Sequence, residues 1–218
     1  MIDILERATG FVLDCDGTLL DSMGQWIIVE DDLIDATGLD FSTEMMDEIR
    51  SAPITEACRI FHERYGLGES TEEVEEFLDG NLLNFYRNEV EPLPGTKEFL
   101  EEADRLGIPC SVVSSSPTRY VAAGLSRNGM LDLVSEIFST EEVGIPKSDT
   151  KIFEMAIAHM GSEVESTWGA DDSLYAVKVM KSMGMKTIGA YDNDSSGSIA
   201  ELGSVCDIVV RSFEELLG

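Results

Sequence analysis

The residues of this chain that could do chemistry gather at four places. The first is Asp14-Cys15-Asp16-Gly17-Thr18, directly after the apolar run Gly10-Phe11-Val12-Leu13. If extended backbone persists past Leu13, Asp14 and Asp16 project to one side and Cys15 to the other, so two carboxylates reach one reacting atom. Gly17 permits a sharp exit or a close approach of backbone to an anion. The second is Ser114-Ser115-Ser116-Pro117, after Ser111-Val112-Val113. A serine before a proline signals a helix start, and the free N–H groups of such a start make a phosphate site. The third is Lys147, just ahead of a helix that Asp149 is placed to cap. The fourth is Asp171-Asp172-Ser173, after Trp168-Gly169-Ala170. Adjacent carboxylates at a strand end repel each other, and a bound divalent cation is a common reason to keep them. Each piece alone is commonplace. Their coincidence, in this order and each at a strand end, carries a functional reading.

The elements that must position these groups follow from the apolar patterning. Gly10–Leu13 reads as a buried parallel strand. From about Ser22 to Glu91 the pattern is helical, with Gly38, Pro53, Gly66-Leu67-Gly68 and Gly80 dividing it into roughly four pieces. Helix and strand alternate after Pro92-Leu93-Pro94-Gly95. Helices are expected over Thr96–Leu106, Pro117–Arg127, Asp149–His159 and Leu174–Met183, and extended runs over Ile108–Val113, Val134–Phe138, Thr167–Ala170, Lys186–Ala190 and Asp207–Val210. This alternation implies an α/β fold, a Rossmann-like parallel sheet with helices on both faces. Residues 1–21 and 92–218 then form the α/β core domain, and residues 22–91 a helical cap inserted after the first strand, joined near Leu19–Met23 and Glu91–Gly95. In such sheets ligands gather at the carboxyl ends of the strands, where all four groups lie.

The composition narrows the partners. The 43 acids against 15 bases give a formal net charge of -28, which repels nucleic acid and anionic membranes. The acids are spread along the chain and suit solubility at high salt. An anionic substrate must therefore be held by local positive charge. No apolar run is long enough to cross a bilayer, and Met1-Ile2-Asp3-Ile4-Leu5-Glu6-Arg7 lacks the basic flank and apolar length of a signal peptide, so a cytoplasmic location is expected. Cys15, Cys58, Cys110 and Cys206 form no CxxC pair and read as reduced core residues. His62 and His159 read as ordinary helix residues. Met23 and Trp26 follow the first joint, where they either pack or face the site. Oligomeric state has no signature here.

Asp14-Cys15-Asp16-Gly17-Thr18-Leu19-Leu20-Asp21-Ser22 resembles the first motif of the haloacid dehalogenase superfamily of phosphatases. Ser114 matches the second motif, Lys147-Ser148-Asp149-Thr150-Lys151-Ile152-Phe153 resembles the third, and Asp171-Asp172-Ser173 the fourth. The helical insert falls where the superfamily's small cap belongs, as in the phosphoglycolate phosphatase and beta-phosphoglucomutase branch. Ser148 and Thr150 stand where the family usually has prolines, and Asp171 where close relatives often have Glu.

The resemblance implies a Mg²⁺-dependent hydrolase of a small phosphate ester, phosphoglycolate or a sugar phosphate, with catalytic Asp14, Asp16, Ser114 and Lys147. Asp14 is the nucleophile and passes through an aspartyl-phosphate. Asp16 is the general acid and base. Gly17, Thr18, Ser114, Ser115 and Lys147 bind the phosphoryl group. Asp14, Asp16 (through its backbone carbonyl), Asp171 and Asp172 hold the metal. An aspartate at position 16 sets the chain apart from dehalogenase and phosphonate-cleaving relatives. A response-regulator receiver carries its acidic pair first and its lysine last, the reverse of the order here. The rival that remains is a phosphosugar mutase, which needs a cationic group in the cap for a second phosphate. Ser51-Ala52-Pro53-Ile54-Thr55, at the matching position, has no charge, although Arg50 and Arg59 lie nearby.

Overall fold

Gly10–Leu13 (β1) is buried at every position, as a strand flanked by two neighbours and covered on both faces must be. The computed structural model describes residues 4–191 and 198–217, leaving aside the side chains at 47 and 51. Met1, Ile2 and Asp3, part of the stretch read against a signal peptide, lie outside the described residues. Four helices follow β1: α1 (Met23–Thr37), α2 (Thr43–Ser51), α3 (Ile54–Tyr65) and α4 (Thr71–Asn88). The chain then alternates through α5 (Thr96–Leu106), β2 (Cys110–Ser114), α6 (Thr118–Arg127), β3 (Glu136–Ser139), α7 (Thr140–Val143), α8 (Thr150–Met160), β4 (Thr167–Asp171), α9 (Leu174–Met183), β5 (Lys186–Ala190), α10 (Ile199–Val205) and β6 (Ile208–Val210).

The six strands are parallel in the order β3-β2-β1-β4-β5-β6. The order reverses at β1, so the carboxyl ends of β1, β2 and β4 open onto one crevice. Alternation along β1 serves the two faces. Phe11 and Leu13 pack with Phe99, Leu100 and Leu125 of α5 and α6. Val12 packs on the other face with Ile152, Phe153 and Val177 of α8 and α9. The expected parallel sheet with helices on both faces is present.

The helical boundaries have local causes. Gly38 and Gly66 end α1 and α3 in left-handed conformations with φ of 66° and 72°, and Pro53 precedes α3. Gly80, expected to divide two helices, lies inside α4, where packing outweighs the propensity cost of one glycine. The two joints of the insert run side by side: Asp21 N donates to Glu91 O at 3.0 Å and Leu93 N to Leu19 O at 3.0 Å. Two short helices, α7 and α10, have no counterpart among the elements expected from the sequence. No described helix is long and apolar enough to cross a membrane.

The insert also packs on the sheet layer through α4 and α6. Asp79 accepts from Arg119 Nη2 at 2.8 Å and from the Tyr120 hydroxyl, and the Tyr86 and Tyr120 rings stack with centroids 5.5 Å apart. This approach requires Gly124, since a Cβ there would meet Leu20 Cδ1 at 2.6 Å and Tyr86 Cδ1 at 2.9 Å. Gly124→Val should overpack this contact by about 1–3 kcal/mol and lower Tm by roughly 3–10 °C. A thermal melt with Tm unchanged or raised would mean that α4 does not rest on α6 in this way.

Candidate active site

Parallel pairing sets the first contact of the site. Leu13 pairs with Ala170, and Asp14 N donates to Ala170 O at 2.9 Å, so Asp14 and Asp171 leave adjacent strand ends together. Asp14, Asp171 and Asp172 are buried, and one carboxylate oxygen from each lies within 4.8 Å of the others. Lys147 enters between them. Its Nζ bonds Asp14 Oδ1 and lies 2.9 Å from Asp171 Oδ2. The loop that carries Lys147 is fixed from behind by Asp149, whose side chain caps α8 by accepting from Lys151 N at 2.9 Å. Asp149 is thus the cap that its place before a helical run predicts.

Burial, then Asp171, then Asp14 push Asp172 up to about 9. Asp14 is also raised, chiefly by burial, with the Lys147 ammonium pulling the other way and Asp171 and Asp16 adding to the rise. Asp14 and Asp171 hold the Lys147 ammonium well above its usual range, against its own burial. Three carboxylates against one ammonium leave an uncompensated negative charge in a buried place. Oxygen ligands carrying that excess suit a hard divalent cation, so the residues present fit a metal. Asp171 already accepts from Lys147 and, through Oδ1, from Ser173 N at 2.8 Å, which leaves Asp14 and Asp172 less committed.

Asp16 stands apart from this triad. Its Oδ1 accepts from Ser22 Oγ at 2.5 Å and from the Tyr86 hydroxyl, and its Oδ2 from Ser116 Oγ at 2.6 Å. Tyr86 in turn accepts from Trp26 Nε1 at 2.9 Å. Met23 and Trp26 both line the cavity, so the position after the first joint faces the site as well as packing. Gly17 makes the turn with φ of 75°, and a Cβ there would come within 3.0 Å of Asp172 Oδ2. Between the carboxylates, Cys15 is fully buried, and burial followed by Asp16 and Asp14 pushes its thiol well up, so it is no nucleophile.

Several expected binding residues sit differently. The Ser114 hydroxyl is fully buried, accepts from Ser116 N at 3.0 Å and lies 3.4 Å from Asp16 Oδ2. Ser115 and Ser116, not Ser114, line the cavity. Gly17 and Thr18 line a separate small crevice beside Leu93 and Tyr191. The serine before Pro117 does not cap α6. Its hydroxyl is spent on Asp16, and Glu142 Oε1 accepts from Thr118 N at 3.0 Å instead. Tyr86 and Tyr175 join the site without having been singled out by sequence reasoning, and Ser22 and Ser116 join it in roles that reasoning did not give them. Ser22 closes the first motif, which is a signal that could have found it; Tyr86 carries no sequence signal within its helix. His62 Nδ1 meets Leu67 O at 2.9 Å and His159 packs by Phe138, both away from the site.

The crevice opens into a cavity of about 540 Å³ lined above by α1–α4. The family model described as haloacid dehalogenase-like hydrolase matches residues 11–190, which takes in every group of the site. The chain belongs to that family. Among curated relatives, a ribulose-1,5-bisphosphate 5-phosphatase of Halopiger xanaduensis is 25% identical over 57% of this chain and 59% of its own length. Hexitol phosphatase B of Escherichia coli is 23% identical over 81% of each chain. A phosphoglycolate phosphatase of Pectobacterium atrosepticum is 26% identical over 56% of this chain and 51% of its own, so the match spans little more than half of the first of these relatives and of this one. Among solved structures, CbbY from Rhodobacter sphaeroides with phosphate superposes with a TM-score of 0.78 at 19% identity over 96% of both chains. A putative beta-phosphoglucomutase from Thermotoga maritima gives 0.73 at 20% identity over 95% of this chain and 96% of its own. These superpositions establish a haloacid dehalogenase-like fold over almost the whole chain.

The charge excess makes a prediction for this haloacid dehalogenase-like site that needs no turnover. An acid whose folded value is raised lends its stability below the unfolded value and loses it as pH rises through the folded value. Metal-free protein should therefore lose Tm as pH rises from about 4 towards 9, the window set by Asp172. Mg²⁺ should restore most of the loss. Asp172→Asn should raise Tm of the metal-free protein at pH 8 by roughly 2–4 °C per kcal/mol of relieved repulsion, and should abolish most of the gain from Mg²⁺. A variant that melts lower at pH 8, or keeps the full Mg²⁺ gain, would contradict the charge accounting.

Proposed function

We propose that this protein is a Mg²⁺-dependent phosphatase of a small phosphomonoester and works through an aspartyl-phosphate on Asp14. The observation that carries the reading is the buried Asp14 carboxylate, at the floor of a cavity, beside Lys147 and two further carboxylates with a second acid, Asp16, two residues on. The phosphatase names of the curated relatives and the phosphate bound in the CbbY structure favour the same class.

Mg²⁺ held by Asp14, Asp171 and Asp172 would supply positive charge to the phosphoryl oxygens. Lys147 orients the Asp14 carboxylate by holding one of its oxygens and offers its charge to the same phosphoryl group. An oxygen of Asp14 bonds to phosphorus while the bond from phosphorus to the ester oxygen breaks. The electron pair goes to that oxygen, which takes a proton from Asp16 and leaves as an alcohol. Asp16 then takes a proton from water as the water oxygen bonds to phosphorus and the bond to Asp14 breaks. Inorganic phosphate leaves, and Asp14 is restored. Ser22, Ser116 and Tyr86 keep Asp16 pointed for both steps. Ser115, expected as a binder together with Ser114, stands at the cavity wall to receive a phosphoryl oxygen, while Ser116 is committed to Asp16 and Ser114. Helices α1–α4 act as a cap that keeps bulk water from the site.

A mutase is disfavoured by the two cap arginines. Arg50 pairs with Glu30 at 2.7 Å, and Arg59 pairs on the surface with Glu56 at 2.5 Å and with Glu63. A second phosphate would have to compete with those carboxylates. Incubated with glucose 1-phosphate and its bisphosphate, the enzyme should release phosphate without forming the 6-phosphate isomer. Isomerisation outrunning hydrolysis would reverse the assignment.

Asp14→Asn should remove turnover by at least about a thousandfold in a protein that still folds. Asp16→Asn should cost roughly 10²–10⁴ in kcat for an alkyl phosphate and far less for a nitrophenyl ester, whose leaving group needs no proton. Equal losses on both esters would remove Asp16 from the acid role. Full activity of folded Asp14→Asn would remove the covalent mechanism.

A further inference from the structure

The cavity changes character with height. Its floor is Asp14, Asp16, Lys147, Asp171 and Asp172, and its upper wall is Val29, Leu33, Ile49, Phe61 and Leu78 from α1–α4. These five are nearly fully buried and back the wall, so the apolar side chains with surface open to the space are chiefly Met23, Trp26, Ile27 and Ile54. Trp26 spends its N–H on Tyr86 and presents its ring to the space. The charged groups of the upper cavity, Glu30 and Arg50, are paired with each other at 2.7 Å.

We infer that the alcohol released by this site is apolar, an alkyl or aryl alcohol of roughly six to ten carbons, and that the upper cavity is its binding site. The inference rests on the phosphatase reading of the floor. A cavity of about 540 Å³ has the liquid volume of roughly 18 waters, so a two-carbon phosphate would leave most of it filled with water against apolar walls. A polyhydroxylated chain would fill the volume but strip its hydroxyls of water beside Met23, Trp26, Ile27 and Ile54, which offer no free hydrogen bond in return, and beside Glu30 and Arg50, which are engaged with each other. A carbon chain fills it and gains from every methylene buried. The protein's charge of -28 points the same way: the field repels the phosphate end, so affinity must come from the floor and from apolar contact.

The test measures binding and turnover on the full chain with Mg²⁺. Alkylphosphonates from ethyl to octyl, whose C–P bond this chemistry does not break, are titrated by calorimetry. Each added methylene should lower Kd by roughly three- to fourfold until the cavity is full. Alkyl phosphates should show the same gradient in kcat/KM, and hexyl phosphate should exceed phosphoglycolate and sorbitol 6-phosphate. Acetyl phosphate, too small to reach the upper wall, reads the floor alone. If acetyl phosphate is hydrolysed while the phosphonate Kd stays flat with chain length, the apolar site is overturned and the phosphatase stands. If neither acetyl phosphate nor any of the alkyl phosphates is hydrolysed, the phosphatase fails, and the phosphonate gradient alone supports or overturns the apolar site. Leu33→Gln in the wall should raise Kd for hexylphosphonate at least tenfold more than for ethylphosphonate. Because that buried change risks the fold, Ile27→Glu is measured beside it. Ile27 lines the same cavity and is 41% exposed, so the substitution spares the core. A folded Ile27→Glu protein with the wild-type chain-length gradient would overturn the placement.

Discussion

Lys147 is 4% exposed and lies between the carboxylates of Asp14 and Asp171, and the rest of the site is arranged around that buried ammonium. Taking it away would leave three carboxylates facing one another out of water, an arrangement that neither burial nor neighbouring charge would sustain in ionised form. The sheet order follows from the same need. Placing β1 between β2 and β4 delivers Asp14 and Asp171 side by side, and the Asp149 cap sets the loop that reaches over them. The ammonium offsets part of the charge, not all of it. The remainder is an electrostatic strain that a divalent cation or a proton relieves, and it keeps the site poised for a ligand carrying positive charge.

A second polar centre links the insert to the chemistry. Asp16 accepts from hydroxyls contributed by the first joint (Ser22), by α4 (Tyr86) and by the loop after β2 (Ser116). Orientation of the acid thus depends on where α4 sits, and α4 is set by Gly124, the Tyr86–Tyr120 stack and the Asp79 contacts with α6. A side chain with both oxygens engaged has little freedom to turn, which suits the fixed line of proton transfer that the proposed acid and base role of Asp16 requires.

What is legible in the sequence divides along physical lines. Parallel strands buried on both faces are written as short apolar runs, and their chemistry sits at one end, so the amino-acid order alone puts Asp14, Lys147 and Asp171-Asp172 at one edge of a sheet. Asp149 is legible as a cap because capping is local. The role of Ser116 is not, since its partner Asp16 is 100 residues distant in sequence, and a serine before proline carries a stronger local meaning as a helix start. Tyr86 is hidden for the same reason, 70 residues from the acid it contacts. Gly80 misleads because the neighbours Leu78 and Leu82 bury α4 firmly enough to hold a glycine in its middle. Four-residue α7 is too short to show a period, and α10 carries a glycine and two serines within or beside it.

The upper and lower halves of the cavity pose opposite solvation problems, and their junction is where selectivity arises. Below, charge is concentrated in a buried place and must be met by charge. Above, the walls gain from excluding water and have little to offer a hydroxyl. A substrate that satisfies both has a compact anionic head and an apolar body, joined at the bond that is cleaved. That division also separates the two ways in which binding can act. On the proposed mechanism, contacts to the body would be the same before and during reaction and would lower KM, whereas Lys147 and Asp16 would meet charge and protons that change during it and would raise kcat. The helical insert and the sheet would then contribute to different kinetic constants, although Trp26, Tyr86 and Asp16 join them in one chain of hydrogen bonds.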